Sequence, residues 1–244
     1  MEKDLVGDCR IVDIHCHLLP DMDDGARSWE ESLKMARIAS ESGINTVVAT
    51  PHWIQGTVWE PNPDVVRKKV SELNELLRKN SIPLSVFPGM EIGVSENLVE
   101  LVSSGRVLTL AEGKYVLVEV PFFSLPVGIE EVVYRLVDRG FFPILAHPER
   151  SRDIQKKPKR IRELVDNGAL IQITAGSLCG CFGDKAKQCA LELIELDAVH
   201  IVASDAHSSD KRPPLLSKAM DIVKRIKGIE YMNRLLLNAS RCLE

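Results

Sequence analysis

Apolar residues gather in seven short runs rich in Val and Ile, at 10–14, 46–50, 85–92, 115–120, 142–146, 170–174 and 200–204. Most are apolar on both parities, as in Val116-Leu117-Val118 and Ile201-Val202-Ala203. Strands buried on both faces of a parallel sheet read this way, whereas a one-sided antiparallel strand alternates. Between the runs the period lengthens to that of a helix. Val66, Val70, Leu73 and Leu77 form one apolar stripe along 64–79, the pattern of a helix with a buried face. Ser28 followed by Glu31 is a capping pair, and Gly43 is a stop for the helix it opens. Leu136 and Val137 lie in a further helix ending near Gly140, and 191–196 in another.

Strand and helix alternating in this way predict an α/β architecture with parallel strands. The first run leads into Asp13-Ile14-His15-Cys16-His17, with no glycine-rich dinucleotide fingerprint, and no P-loop pattern occurs anywhere in the chain. A single domain over 1–244 is expected, a barrel of about seven strands rather than an open doubly wound sheet.

Charge narrows the partners. Lys plus Arg total 31 and Asp plus Glu 35, a net charge of −4, which argues against a dedicated nucleic-acid binder. No apolar run is long enough for a membrane span, so no direct membrane insertion is expected. Met1-Glu2-Lys3-Asp4 lacks the basic and apolar regions of a secretory signal. Six cysteines at irregular spacing make no disulfide framework, and a cytoplasmic protein with reduced thiols is expected.

The candidate chemistry lies where the runs end. The first ends in His15-Cys16-His17 and is followed by Asp21, Asp23 and Asp24; the second ends at Thr50-Pro51-His52 and the third at Gly89-Met90-Glu91. Glu119 stands just before Pro121, His147 opens His147-Pro148-Glu149-Arg150, and the last run leads into Asp205-Ala206-His207. Pro51, Pro121 and Pro148 mark strand exits, since proline cannot continue a central ladder. In a parallel barrel all exits share one rim, the rim that carries active sites. Five of the six histidines, His15, His17, His52, His147 and His207, fall there. His200, at the entry end of its run, reads as structural.

Alternation along a strand puts His15 and His17 on one side and Cys16 on the other. Imidazoles with Asp24, Glu91, Glu119 and Asp205, and no positioned thiolate, describe a divalent site for Mn, Fe or Zn. Glu119 interrupts an apolar strand, where a buried carboxylate is costly without a cation. Asp21 and Asp23 read as solvated or capping residues of an Asp-rich loop.

A thiol-type tyrosine phosphatase needs a Cys with an Arg six positions later. From Cys9, Cys16, Cys179, Cys181 and Cys189 the sixth residue is His15, Met22, Lys185, Lys187 or Glu195, and Cys242 is too near the end. That mechanism is excluded. Cys179 and Cys181 have no second pair at zinc-site spacing and read as ordinary loop thiols. Arg150 and Arg212 follow the rim histidines closely and point to an anionic substrate. From 150 to 162 seven basic residues face one acid, Asp153; for 156–162 a steering field and a solvated helix face remain equally open.

Taken together, Asp13-Ile-His-Cys-His17 with Asp23-Asp24-Gly25, Ala49-Thr-Pro-His52, Gly89-Met-Glu-Ile-Gly93, Leu145-Ala-His-Pro-Glu-Arg150 and Ser204-Asp-Ala-His207 resemble the PHP (polymerase and histidinol phosphatase) superfamily. Within it they are similar to the bacterial capsule-type manganese-dependent protein-tyrosine phosphatases. The resemblance implies a distorted (β/α)7 barrel with the metal site at the C-terminal rim of the strands. It implies three divalent ions, manganese first, with iron or zinc as alternatives. His15, His17, Glu91 and Asp205 would hold one; Glu91, bridging, with Glu119 and His147 a second; Asp24, His52 and His207 a third. Arg150 and Arg212 match the family's phosphate-binding arginines. The implied reaction is attack on phosphorus by a metal-activated hydroxide without a cysteine nucleophile. The implied partner is a phosphotyrosine-bearing protein, a bacterial tyrosine kinase of exopolysaccharide export. Histidinol-phosphate phosphatase, a TatD-type nuclease, an amidohydrolase and a non-catalytic metal-binding adaptor are the rival readings; the amidohydrolase lacks a bridging Lys where Glu119 stands.

Overall fold

In the structure, a computed structural model, residues 11–244 are described. Arg10 of the first predicted strand, Cys9 and the Met1–Asp4 start lie outside them. The described residues contain nine strands: β1 (Ile11–Cys16), β2 (Ile44–Ala49), β3 (His52–Trp53), β4 (Ser85–Pro88), β5 (Glu91–Gly93), β6 (Tyr115–Glu119), β7 (Phe142–Ala146), β8 (Leu170–Thr174) and β9 (Ile201–Ala203). Every pairing between them is parallel. They form two sheets, in the orders β1-β2-β4 and β3-β5-β6-β7-β8-β9. After β9 the chain runs beside the end of β1. Asp205 N donates to His15 O at 2.9 Å, and His17 N to Ala206 O at 2.8 Å.

The predicted third strand, 85–92, is two strands in different sheets. β4 pairs with β2, while β5 lies between β3 and β6. The break has a steric cause at Gly89, where a Cβ would sit 2.8 Å from Val48 Cγ1 and 3.1 Å from Leu110 Cδ2. Pro88 and Pro51 supply no N–H to continue a ladder, so the chain changes sheet at both points. A run apolar on both parities cannot reveal such a break.

Most helices pack against one side of the strands. Ser28 caps Trp29–Glu41 by accepting from Glu31 N, and Pro63–Lys79 buries Val66, Val70, Leu73 and Leu77. Ile129–Asp138 and Asp184–Glu195 correspond to the other two predicted helices. The sequence reading did not single out Ser217–Lys227 or Ile229–Arg241. A second, smaller core lies on the opposite face of the strands. It holds Val12, Ile14, Val48, Leu117, Ile144, Ala146, Ile201 and Ala203, with Ala239 and Cys242 from the C-terminal segment beneath.

β1 carries the irregularity that matters most for the site. Asp13 is opposite Val47 but Cys16 is opposite Ala49, so β1 has one more residue than β2 between these pairs. Such a bulge reverses which side the following residues face. Val12 and Ile14 therefore point into the smaller core, while Cys16 joins the larger one with Val47 and Ala49. His15 and His17 are released onto the side opposite Cys16.

Candidate metal centre

Nine side chains converge above the smaller core. His15 is in β1 and His17 just after it. His52 opens β3, Glu91 opens β5, Glu119 ends β6, and His147 follows β7. Asp205 and His207 come after β9, and Asp24 comes from the loop before the first helix. His15 Nε2 and His17 Nε2 are 3.2 Å apart. Glu91 Oε2 is 3.1 Å from the first and 3.3 Å from the second; Asp205 Oδ1 is 3.4 and 3.5 Å from them. His147 Nε2 lies 2.8 Å from Glu91 Oε1 and 3.9 Å from Glu119 Oε1. Asp24 Oδ1 is 3.3 Å from His207 Nε2 and 3.6 Å from His52 Nε2. His52 also turns Nδ1 toward Glu91 Oε2 at 3.0 Å and Glu119 Oε2 at 3.7 Å. It thus stands between two of the expected ligand sets.

The far side of the rings decides what they offer at the centre. His15 Nδ1 meets Gln172 Oε1 at 2.9 Å, His17 Nδ1 meets Asp23 Oδ2 at 2.6 Å, and His207 Nδ1 meets the Asp205 carbonyl at 3.0 Å. These acceptors take the Nδ1 proton and turn Nε2 inward, where a neutral ring offers its lone pair to a cation. Two inward ring nitrogens 3.2 Å apart beside two carboxylates call for positive charge between them, which ring protons or a bound cation can supply. Atoms ~2.0–2.2 Å from one ion stand at about this spacing from each other. Glu91 Oε2 and His52 Nδ1 are buried and, though 3.0 Å apart, not aligned for a hydrogen bond, and the buried His147 Nδ1 has no partner among the described residues. Nitrogen and oxygen donors with Cys16 turned away suit Mn, Fe or Zn, so the residues present fit divalent ions.

Imidazoles and carboxylates crowded together shift one another's titration. Burial would raise the Glu91 carboxyl, but His15, His147 and His17 outweigh it and hold it well below the usual range. Glu119 is raised, first by burial and then by the Glu91 charge. Its side chain keeps 15% exposure, less buried than its apolar strand implied. Burial lowers His17, yet Asp23 and then Asp205 and Glu91 hold it well above the ordinary imidazole value. Asp24 falls to about 2, chiefly through its hydrogen bond with His207. Asp205 is held well below the carboxylate range by His15, His17, His147 and Arg212 against the effect of burial.

Asp23 corrects the sequence reading. It is buried, and it accepts from Gly25 N and His52 N at 2.9 Å each besides meeting His17. Gly25 permits this fold of the loop, since a Cβ there would lie 2.4 Å from His17 O. The Asp-Asp-Gly order was the available signal. Gln172 was missed because nothing in a strand of apolar neighbours singles out one amide.

The mouth of the cleft, about 490 Å³, is lined by Trp59, Phe122, Phe123, Arg150 and Arg212 among others. Arg150 Nη1 and Arg212 Nη2 both donate to Asp205 Oδ2, at 2.8 and 2.6 Å. Arg150 lies between the rings of Phe122 and Phe182, 4.5 and 4.3 Å from their centroids, and Arg212 is 5.3 Å from Phe182. Arg212 Nε is a buried donor with no acceptor among the described residues. Trp59 stacks on His52. Asp205 and His147 carry positive φ, 52° and 34°, a backbone strain typical of functional positions. Cys16 is fully buried, and burial with the nearby Asp13 pushes its thiol well above its ordinary value. Cys179 and Cys181 are exposed and join none of the candidate ligand groups. His200, with burial lowering its pKa, accepts from Ile171 N.

A family model described as capsular polysaccharide synthesis, CpsB/CapC, matches residues 11–244. The chain is 41% identical over 233 residues to tyrosine-protein phosphatase YwqE of Bacillus subtilis (strain 168), covering 96% of this chain and 91% of YwqE. It is 30% identical over 236 residues to tyrosine-protein phosphatase CpsB of Streptococcus pneumoniae, covering 95% and 97%. A solved structure from work on these two proteins, called there unique metal-dependent tyrosine phosphatases, superposes with a TM-score of 0.92 at 41% identity, covering 95% of this chain and 94% of that one. With its model and its relatives matched along nearly all of the sequence, the chain belongs to the CpsB/CapC family.

Proposed function

We propose that this chain is a metal-dependent protein-tyrosine phosphatase of the CpsB/YwqE type. Its substrate is a phosphotyrosine-bearing protein, a bacterial tyrosine kinase of capsule or exopolysaccharide synthesis, in the cytoplasm. The observation that carries the reading is the nine-residue nitrogen and oxygen cluster with two arginines at its mouth and the one nearby thiol turned into the core. The names of the relatives supply the substrate class. The nine residues are read as ligands of three divalent ions, manganese foremost, at the C-terminal rim of a distorted (β/α)7 barrel. The hydrogen bonds of Asp205 N to His15 O and of His17 N to Ala206 O support closure of that barrel, and the chain is taken as one domain.

Divalent ions bound there would lower the pKa of water toward neutrality and neutralise phosphoryl charge. Arg150 and Arg212 bind the non-bridging oxygens of the phosphoryl group, and Asp205 with the Phe122 and Phe182 rings fixes their orientation. Phe122, Phe123 and Trp59 form an apolar wall against which a phenyl ring packs. Glu91, facing His15, His17, His52 and His147 at once, is the residue that couples the ligand sets. No side chain is required as a covalent acceptor. Positioning and charge neutralisation then supply most of the rate.

The test is phosphate release from a phosphotyrosine peptide by chelated protein reloaded with Mn²⁺, with histidinol phosphate in parallel. Metal-dependent release from the peptide alone supports the proposal. Release from histidinol phosphate alone replaces the substrate, and turnover of neither sinks the reading.

A further inference from the structure

The basic run that followed the cleft residues in the sequence has a definite place. Arg152 opens the helix Arg152–Lys156. Its N–H donates to Phe122 O at 2.8 Å and its guanidinium lies 4.7 Å from the Phe123 ring, so it begins at the wall of the cleft. Beyond it a hollow is lined by Arg152, Lys156 and Lys185, and a second by Lys156, Lys157 and Lys159. Lys156 and Glu192 border both, so the two hollows adjoin and form one path beside the cleft wall. These five cations are exposed, and none forms an ion pair among the described residues. Arg160 is the exception, lying 3.6 Å from Glu130 and 3.9 Å from Asp153. The acids of the path are Glu192, which lines both hollows, and Glu163, which lines the second. Lys185 stands in the first turn of Asp184–Glu195, where the helix dipole disfavours a cation.

Five unpaired cations on a chain of net charge −4 create a local field opposite in sign to the whole molecule. We infer that this path binds an acidic segment flanking the phosphotyrosine of the protein substrate, holding the chain while its phosphotyrosine occupies the cleft. The inference rests on the proposed phosphatase function. A polypeptide suits the path better than a lipid surface because the cations line adjoining hollows and begin with Arg152 at the cleft wall.

The experiment compares two phosphotyrosine peptides, one with Asp and Glu flanks and one with Ser and Gln flanks, against free phosphotyrosine, using the Mn²⁺-loaded protein. The expected preference for the acidic peptide is about tenfold in kcat/KM, carried by KM and shrinking as salt is raised. Replacing Lys156, Lys157, Lys159 and Lys185 by Ala removes the preference and leaves hydrolysis of free phosphotyrosine as it was. A control replacing Arg78, Lys79, Lys224 and Arg225 by Ala keeps the preference. Equal loss in both variants would assign the effect to overall charge and overturn the path. Equal rates on both peptides in the unaltered protein overturn it while leaving the phosphatase reading intact. If no phosphotyrosine substrate is turned over, the inference falls with that reading. A lysine variant that keeps the peptide preference but no longer sediments with phosphatidylserine vesicles overturns the inference in favour of a membrane surface.

Discussion

Asp23 Oδ2 lies 2.6 Å from His17 Nδ1, on the side of the ring away from the other candidate ligands. The carboxylate fixes the proton on Nδ1 and makes Nε2 a stronger donor to a cation. Replacing such a partner costs roughly 10–100-fold in metal affinity. Asp23→Asn is therefore expected to need correspondingly more Mn²⁺ for half-maximal binding, read by equilibrium titration. An unchanged binding curve would return Asp23 to a purely structural loop role.

Phe182 touches both guanidiniums at the cleft mouth, and Gly176 makes room for its ring, since a Cβ there would lie 2.8 Å from Phe182 Cε2. A cation–π contact of this kind contributes about 1 kcal/mol. Phe182→Leu should raise KM for phosphotyrosine substrates about fivefold with a smaller effect on kcat. Phe182→Tyr should restore it. A fall in kcat alone, or no rescue, would mean the ring does not act through the arginines.

Glu91 and Cys16 make opposite predictions although both are buried. Glu91→Gln should abolish phosphate release and lower the metal content of the purified protein together. Cys16→Ala, at a side chain facing the larger core, should keep most of the activity per folded molecule. Large loss from the second, measured alongside folded content by circular dichroism, would reopen a thiol mechanism.

Metal removal should lower thermal stability, because Glu91 and Glu119 place two carboxylates around shared histidines. At free Mn²⁺ ~100 times the dissociation constant, binding stabilises by about 2.7 kcal/mol. For a chain of this size that corresponds to an upward shift of roughly 5–10 °C in Tm. An unchanged Tm on chelation and reloading would contradict a site built from these residues.

His200 provides a pH test outside the cleft. Burial lowers its pKa from 6.5, and its Nδ1 accepts from Ile171 N in the neutral form. The unfolded chain then binds more protons than the folded one below pH ~6.5, so stability rises with pH through that window. The contribution is complete above the unfolded value and is lost as pH falls toward the lowered folded one. In denaturant unfolding of the chelated protein, His200→Asn should show a smaller loss of stability between pH 7.5 and 5.5. Identical losses in both proteins would remove His200 from the acid response.

Much of this was legible in one dimension because some chemistry is local. The stripe from Val66 to Leu77, the Ser28 cap and the strands from Tyr115 to Thr174 follow from side-chain period and capping within a few residues. The candidate ligands stood out because imidazoles and carboxylates at strand ends are conspicuous among Val and Ile. Gln172 and Phe182 carry no such signature; an amide or a ring becomes informative only once its neighbour in space is known. The division of 85–92 into two strands depended on Gly89 meeting Val48 and Leu110, residues distant in sequence.

The sequence by itself determined the α/β alternation and which residue types could meet a cation and an anion. The tertiary structure alone decided how they meet. One extra residue in β1 turns His15 and His17 toward Glu91 and Asp205 and sends Cys16 into the larger core. Asp23, His17 and His52 come together because the loop after β1 folds back over its end. The physical reason is that a periodic pattern specifies faces within one element, whereas bulges, sheet changes and loop closures are settled by contacts between elements that no local window contains.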